Sequence, residues 1–212
     1  MSELALAGFY AVLDRDDVAL AHALLASGAK ILQVRLKSRE RRVGAGEILR
    51  VARMARPICD EHGAKLVVND RFDVALLAKA DGVHLGQTDL PIDRVRAIAG
   101  DRLFVGVSTH DANQVRAALK HHPDYIAYGP VFETATKENP DPVQGLEALA
   151  RAVEIAGSTP IVAIGGISGD RAPEVYATGA AAICAIGAVN RALDVGLAAR
   201  SFRRVSPREN IG

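Results

Sequence analysis

The clearest pattern in the chain is a series of short apolar segments rich in Val and Ile, each followed by a longer and more polar segment. Apolar segments of this length are typical of buried β-strands. In order they read GFYAVL, KILQVRL, AKLVVN, DGVHLG, LFVGVS, DYIAYG, PIVAIG and AAICAIG. The segments between them, such as DVALAHALLASG and GEILRVARMARPICDEHG, have helical spacing, and many end in Gly or Asn, as helices do.

Strands that alternate with helices predict a parallel sheet joined by right-handed crossovers. Eight such units in 212 residues indicate an α/β fold, a single-domain (β/α)8 TIM barrel over residues 1–212. The alternative is an open doubly wound sheet, which usually has fewer strands and a Gly-rich first turn. The first turn here reads LDRDD and contains no glycine, which favours the barrel. We expect the last residues, about 203–212, to form a flexible tail.

The second predicted strand alternates between apolar and polar residues. In a closed parallel barrel, one face of each strand packs under the helices and the other points into the barrel. If the apolar face meets the helices, the polar face points into the barrel towards its upper mouth. Buried unpaired cations are strongly unfavourable, so this strand predicts an anionic ligand, with an ion-paired core or a solvent-exposed strand end as the structural alternative. The apolar face carries Leu32, Val34 and Leu36, and the other carries Ile31, Gln33, Arg35 and Lys37.

Polar residues also follow the carboxyl ends of the next strands, where the active sites of such barrels lie. Asn69 and Asp70 follow the third strand, Asp89 follows the fourth, and Ser108 ends the fifth. Each has a structural alternative. Asn69 or Asp70 could cap a helix beginning near Phe72, Asp89 could be a turn residue, and Ser108 could be a cap. The set indicates a polar site more strongly than any one member does.

Two histidines lie close to these strand ends. His84 falls within the fourth strand, and we expect it to be a satisfied interior residue rather than a ligand. His110 follows the fifth strand and is a weak candidate for a general base, because no carboxylate partner can be assigned to it from the sequence.

The last strands lead into loops that suit phosphate. The loop after the sixth strand, VFETATKENP, contains Thr134, Thr136 and Lys137. Gly165 and Gly166 follow the seventh strand. Barrels often bind phosphate through backbone N–H groups after the seventh and eighth strands, and glycine allows close approach of the backbone.

Composition and charge limit the classes of partner expected for the predicted barrel. The formal net charge of +1, with no basic run among aromatics, argues against nucleic acid. No apolar run reaches the roughly 18 residues needed to cross a membrane, and the N-terminal MSELALAGFY does not resemble a signal peptide. Cys59 and Cys184 fit no metal spacing, so we expect a reduced, cytoplasmic compartment. We expect small-molecule substrates as partners, and the sequence leaves a homo-oligomer open.

This inventory favours phosphate chemistry driven by charge neutralisation. Cations, two aspartates, hydroxyl groups and glycine turns suit a site for two anionic groups and a divalent cation such as Mg²⁺. The sequence shows no convincing Cys or Ser nucleophile and no Schiff-base lysine within an apolar strand.

From FYAVLD to the last strand, the sequence resembles thiamine phosphate synthase. The motifs that carry the resemblance are, in order, QVRLK, VVNDRFDVAL, ADGVHLGQTDLP, VGVSTH, DYIAYGPVFETATK, QGLEAL and VAIGGIS. The resemblance implies a TIM barrel and a transferase of thiamine biosynthesis. In the implied reaction, a hydroxymethylpyrimidine pyrophosphate loses pyrophosphate, and the nitrogen of a thiazole phosphate captures the pyrimidine methylene. The products are thiamine phosphate and pyrophosphate.

The resemblance also implies roles for individual residues. Asp70 and Asp89 would hold Mg²⁺ against the pyrophosphate, and the catalytic cations would be Arg35, Lys37 and Lys137. Contacts with the pyrimidine pyrophosphate are implied for Gln33, Arg35, Lys37, Asn69, Ser108 and Lys137, with Val34 and Leu36 as further substrate contacts. Contacts with the thiazole phosphate are implied for Thr134, Ala135, Thr136, Gly166, Ile186 and Gly187.

The chain departs from the family pattern at one position. The family usually has Ile-Ser at the end of the eighth strand, where this chain has Ile186 and Gly187, so a hydroxyl for the thiazole phosphate is missing. Two alternatives are a thiazole tautomerase-like paralogue and a non-catalytic phosphate-binding barrel. The tautomerase commonly has a histidine after the sixth strand, where this chain has Pro130, and the retained cations and aspartates favour the synthase.

Overall fold

Eight parallel strands form a closed barrel. The computed structural model describes residue 4 and residues 6–38, 40–134 and 142–204. The strands follow one another around the barrel in chain order, and the first pairs with the last. Their bounds are Gly8–Leu13 (β1), Ile31–Val34 (β2), Lys65–Asn69 (β3), Gly82–Leu85 (β4), Phe104–Thr109 (β5), Tyr125–Tyr128 (β6), Ile161–Ile164 (β7) and Ala182–Cys184 (β8). The (β/α)8 barrel is therefore confirmed, and the open sheet is excluded.

Helices connect the strands. They lie at Val18–Ala26 (α1), Ala45–Glu61 (α2), Phe72–Leu77 (α3), Ile92–Ala99 (α4), Ala112–Leu119 (α5), Gly145–Ala156 (α6), Ala172–Ala177 (α7), Gly187–Asn190 (α8) and Val195–Arg200 (α9). Short 3₁₀ turns precede β5 and α7. Aspartates cap several helices, since Asp17, Asp111 and Asp194 each accept a hydrogen bond from a backbone N–H in the first turn. None of the helices in the described ranges is long and apolar enough to cross a membrane.

The strands bury side chains in two layers. In β2, Leu32 and Val34 belong to the layer between strands and helices, whereas Ile31 lies in the barrel interior. Gln33 points the same way as Ile31, because its amide donates to the hydroxyl of Tyr10, another interior residue. The alternation read from the sequence therefore assigns the two faces of this strand correctly.

Aromatic side chains fill the barrel interior opposite glycines. A Cβ added to Gly106 would lie 2.0 Å from the ring of Tyr125, and one added to Gly82 would lie 2.4 Å from the ring of Phe104. Because these distances are far below van der Waals contact, both rings depend on the missing side chains. The interior of the barrel is thus a packed floor beneath its upper mouth.

The last described residues pack against the outside of the barrel, next to β1 and the end of α1. Phe202 is buried and stacks on Phe9, with ring centroids 5.6 Å apart. Arg203 donates to the carbonyl of Ser27 at 2.7 Å. Residues 205–212 lie outside the described ranges, so the flexible tail stays a prediction.

Candidate functional site

A cavity of about 770 Å³ opens at the carboxyl ends of the strands. It has the size of a small-molecule site, and it lies on the face where the sequence predicts one. Residues from different strands and loops converge on it although they are distant in sequence. The predicted residues that line it are Gln33, Arg35, Lys37, Asn69, Asp70, Asp89, Ser108, Thr134, Gly166, Ile186 and Gly187.

Among the described residues, two predicted ones, Val34 and Leu36, do not line this cavity. The side chains of Val34 and Leu36 pack in or against the layer between strands and helices, and both line a smaller neighbouring cavity instead. Neither side chain therefore reaches the main cavity, and any substrate contact would have to come from the backbone. Ala135, Thr136 and Lys137 lie outside the described residues, so their roles stay predictions.

The cations of the segment after β2 stand at the cavity mouth, not in the barrel core. Arg35 is partly buried, and the side chain of Lys37 is 54% exposed. Lys37 Nζ lies 3.3 Å from a carboxylate oxygen of Asp70. An ion pair this exposed contributes little to stability, so Lys37 can exchange its partner for an anionic ligand at small cost.

Asp70 owes its position to an unusual backbone conformation. Its φ of 63° lies in the left-handed region, and its N–H donates to the carbonyl of His84 at 2.7 Å. The helix that follows has Arg71 at its N-cap, with no side-chain cap hydrogen bond. The helix-cap alternative for Asn69 or Asp70 is therefore wrong, and the turn of the chain directs Asp70 into the cavity.

Asp89 lies beside Asp70. Its carboxylate accepts a hydrogen bond from the N–H of Gly86 at 2.7 Å, so it also has the turn role expected from sequence. Burial, together with the neighbouring Asp70 carboxylate, raises the pKa of Asp89 above its ordinary value despite that hydrogen bond. Two carboxylates that repel one another, from loops of adjacent strands, fit a divalent cation with oxygen ligands such as Mg²⁺.

A chain of hydrogen bonds crosses the floor of the cavity. Gln33 Nε2 lies 3.0 Å from the Tyr10 hydroxyl, which lies 2.8 Å from the Tyr125 hydroxyl. That hydroxyl is 2.9 Å from His84 Nδ1, and His84 Nε2 is 2.8 Å from Ser108 Oγ. His84 is thus a satisfied interior residue, as predicted, and Ser108 caps no helix, since Asp111 caps α5. We call these five residues the floor relay.

The contacts of the floor relay allow two directions of donation, which differ in the tautomer of His84. Burial lowers the pKa of His84 to about 4, so its ring is neutral near pH 7 and carries one N–H. In one direction Gln33 donates to Tyr10, Tyr10 to Tyr125, and Tyr125 to His84 Nδ1. His84 Nε2–H then donates to Ser108, whose own proton is left for the cavity. In the reverse direction Ser108 donates to His84 Nε2, and the proton of Tyr10, which also lines the cavity, is left without an acceptor in the relay.

The far side of the cavity is built on closely packed backbone. Gly166 has φ of 65°, and a Cβ there would lie 2.2 Å from the carbonyl oxygen of Glu133. Gly165 has φ of 91°, and its Cβ would lie 2.5 Å from Pro130. Glycine is therefore required at both positions, because any side chain would prevent the loop after β6 from packing on the end of β7. Thr134, from that loop, lines the cavity here.

Several residues that line the cavity were not predicted as site residues. Tyr10 and Tyr125 lie in apolar strands and carry no separate signal, although Gly106 marks the space that Tyr125 fills. Arg191 follows α8 and lines the cavity together with Gly187. His110, which the sequence offered only as a weak candidate for a general base, also lines it, and its Nδ1 lies 2.6 Å from the carbonyl oxygen of Gly129.

A cysteine also lines the cavity, but it is not a nucleophile. Burial in the barrel raises the pKa of the Cys184 thiol to about 12. The reactive form of cysteine is the thiolate, so this thiol is inert near pH 7.

Comparisons with known proteins indicate one family. The family described as thiamine monophosphate synthase matches residues 9–189. A thiamine-phosphate synthase of Pelotomaculum thermopropionicum is 42% identical, covering 93% of this chain and 88% of that protein. One from Shigella dysenteriae is 40% identical, covering 94% of this chain and 92% of that protein.

The solved structures agree with the sequence relatives. A thiamine phosphate pyrophosphorylase from Pyrococcus furiosus has a TM-score of 0.84 and 35% identity, covering 93% of this chain and 94% of that one. A 3-hexulose-6-phosphate synthase has a TM-score of 0.66 at 19% identity, covering 92% of this chain and 98% of that one. At that identity the second likeness shows the shared barrel fold alone.

Proposed function

The chain belongs to the thiamine monophosphate synthase family, and we propose that its cavity joins a hydroxymethylpyrimidine pyrophosphate to a thiazole phosphate, giving thiamine phosphate and pyrophosphate. This makes the protein a transferase of thiamine biosynthesis. The observation that carries the proposal is the placement of Asp70 and Asp89 side by side, next to Lys37, in one cavity. Both substrates are anionic, and this arrangement can neutralise a pyrophosphate.

The chain's cations stabilise the leaving group. Arg35 and Lys37 stand at the mouth of the cavity, and Lys137 joins them in the prediction from sequence. Asp70 and Asp89 would hold Mg²⁺, which when bound neutralises the charge of the pyrophosphate. As negative charge grows on the departing oxygen, fixed positive groups lower the barrier without a proton transfer.

The pyrimidine end of the site needs orientation more than acid or base catalysis. The aminopyrimidine can stabilise a benzyl-like cation, so pyrophosphate can leave before the thiazole nitrogen attacks. The site then has only to hold the two reacting atoms in line. Gln33 and Asn69 are buried polar groups that line the cavity, and Ser108 lines it at the end of the floor relay. These groups suit the ring nitrogens and the pyrophosphate oxygens of the substrate.

The thiazole phosphate would bind on the opposite side. Thr134, Gly166, Ile186 and Gly187 line the cavity there, and Ala135 and Thr136 remain predicted contacts from sequence. Gly187 lacks the hydroxyl that the family usually supplies. Arg191 lines the same part of the cavity and offers a guanidinium for the phosphate, which supports binding without the serine.

The test is direct. The protein is mixed with both substrates and Mg²⁺, and thiamine phosphate and pyrophosphate are measured by chromatography. We expect both products in equal amounts, with loss of turnover after chelation by EDTA and recovery on addition of Mg²⁺. Isomerisation of a thiazole precursor with no thiamine phosphate formed would overturn the proposal in favour of the tautomerase. Binding of both ligands without any reaction would favour the non-catalytic barrel.

We also keep the cytoplasm as the proposed compartment. Cys59 and Cys184 are both free thiols, which fits a reducing environment. The sequence leaves a homo-oligomer open.

A further inference from the structure

A second group of potential ligands lies away from the cavity. His22 lies in α1, Glu61 is the last residue of α2, and His62 is its C-cap. One ligand atom from each lies within 4.8 Å of the other two. None of the three lines the cavity described above. Since α2 leads directly into the amino end of β3, the group sits towards the opposite end of the barrel.

The two imidazole rings already have a spacing that suits one shared ion. Their centroids are 5.7 Å apart, with an angle of 64° between the rings. Zinc lies about 2.0–2.1 Å from imidazole nitrogen in tetrahedral sites, which places two bound rings with centroids roughly 5 Å apart. The ligand atoms would then be about 3.4 Å apart, so binding requires an inward movement of little more than an ångström.

One nitrogen of the group lacks a partner. His62 Nε2 is buried from solvent, and among the described residues no atom forms a hydrogen bond with it. A buried nitrogen without a partner is destabilising, so such atoms are rare in folded proteins. A metal ion would satisfy it, since neutral imidazole nitrogen is a common ligand of Zn²⁺.

The end of α2 also favours positive charge. α2 is 17 residues long and has no basic residue in its last turn. The carbonyl groups at a helix C-terminus carry partial negative charge, which attracts a cation. Glu61, at the same place, adds a full negative charge that is exposed to solvent and free to turn towards an ion.

We propose that His22, Glu61 and His62 form a second metal site, which binds Zn²⁺ or a similar divalent transition ion and fastens α1 to the C-terminal end of α2. Two imidazoles and a carboxylate prefer Zn²⁺ to Mg²⁺, which favours a shell of oxygens. Water completes the fourth position. The site stabilises the outer helices at the end of the barrel away from the cavity, and it takes no part in turnover.

The test uses the full chain, freed of metal and kept in millimolar Mg²⁺ so that Asp70 and Asp89 do not compete for the added ion. Zn²⁺ is titrated by calorimetry, and thermal unfolding is followed with and without it. We expect one ion bound per chain and a melting temperature raised by a few degrees in excess Zn²⁺. Co²⁺ in place of Zn²⁺ should give the visible absorption of a tetrahedral site.

Variants separate this site from accidental binding. His22→Gln and Glu61→Gln should each weaken Zn²⁺ binding at least tenfold and abolish the thermal shift. His121→Gln, at an exposed histidine outside the group, is the matched control and should change neither. Because Glu61 is exposed, its replacement tests the site even if a histidine variant folds poorly.

Two results would overturn the proposal. One is that no Zn²⁺ binds the wild-type chain under these conditions. The other is that the Glu61→Gln and His22→Gln chains bind it as tightly as wild type. Turnover with Mg²⁺ should be equal in the wild type and in Glu61→Gln, so this test stands apart from that of the proposed synthase activity.

Discussion

The two ends of the barrel use aspartate in opposite ways. At the upper mouth, the carboxylates of Asp70 and Asp89 lie together, and the pKa of Asp89 is raised by burial and by its neighbour. At the lower end, Asp81 accepts hydrogen bonds from Arg56 at 2.6 Å, from Lys65 at 3.0 Å and from a backbone N–H at 2.8 Å. Burial opposes the ionisation of Asp81, but these donors outweigh it, and its pKa lies below the ordinary value.

The lower-end arrangement occurs twice. Asp124 precedes β6 just as Asp81 precedes β4, and it accepts from Arg96 at 2.9 Å and from the N–H of Val105 at 2.6 Å. In each case the aspartate also donates its own N–H to the residue whose N–H it accepts. These aspartates tie neighbouring strands together. Asp81 and Asp124, whose carboxylates accept hydrogen bonds from basic side chains and backbone N–H groups, thus stabilise the barrel. The carboxylates of Asp70 and Asp89 repel one another, which favours the binding of a cation.

The largest expected effect is at the mouth. Asp70→Ala should lower Mg²⁺-dependent turnover by roughly a thousandfold, because one of the two metal carboxylates is lost. Stability should change little or even rise, since Asp89 no longer faces a like charge. Steady-state kinetics over a range of Mg²⁺ concentrations measures the first effect and urea unfolding the second. Near-normal activity would show that the metal site has been assigned to the wrong residue.

The reverse experiment is made at the lower end. Asp81→Asn should reduce the free energy of unfolding by about 2 kcal/mol, because it weakens the bonds to two cations and leaves them partly buried. Turnover per folded molecule should stay at the wild-type level. Urea unfolding and kinetics on the same preparation check both statements. A loss of turnover without a loss of stability would break the contrast between the two ends.

The same aspartate should give stability a defined dependence on pH. The native pKa of Asp81 lies below that of the unfolded chain, for which about 3.9 is usual. Its contribution is therefore complete well above pH 4 and is lost as the pH falls below about 4. The difference in unfolding free energy between wild type and Asp81→Asn should thus shrink between pH 5 and pH 3. A difference that stays constant would mean that the carboxylate charge is not what stabilises this end.

The floor relay allows a finer test at the mouth. Tyr125→Phe removes the hydrogen-bond partner of His84 Nδ1, so the ring is held less firmly and its contact with Ser108 is weakened. We expect kcat to fall about tenfold, with a smaller change in the KM of the pyrimidine substrate. Tyr10→Phe, one step further from Ser108, is the matched control and should have a smaller effect. Equal effects of the two variants would indicate general damage to the packing of the floor.

The smallest expected effect concerns Gly187. Gly187→Ser restores the hydroxyl typical of the family and should lower the KM of the thiazole phosphate by about threefold, roughly the energy of one weak hydrogen bond. Arg191→Gln alone should raise the KM of the thiazole phosphate. Adding Gly187→Ser to Arg191→Gln should lower that KM again. If the serine changes nothing in either background, the phosphate does not reach this end of the cavity.

The sequence alone determined the architecture and most of the inventory of the site. The eight strands follow from local period and length, and the faces of β2 follow from strict alternation around Gln33. The strand-end positions of Asp70, Asp89 and Ser108 could be read in the same way, because a parallel barrel brings all its strand ends to one face. The hydrogen-bond partners of these residues could not be predicted from the sequence. Either Asn69 or Asp70 could have capped the next helix, and the left-handed backbone conformation of Asp70 excludes both.

Which side chains contact one another depends on the tertiary structure. Residues 23 to 115 positions apart meet in the floor relay, and no local pattern marks Tyr10 or Tyr125. The approach of His22 to His62 likewise depends on how α1 packs beside α2. The physical reason is that alternation tells which way a side chain points, whereas the closure of the sheet sets the neighbour that it meets. The hydrogen bonds of the floor relay, the repulsion between Asp70 and Asp89, and the unpartnered nitrogen of His62 all depend on which neighbours the closed sheet brings together.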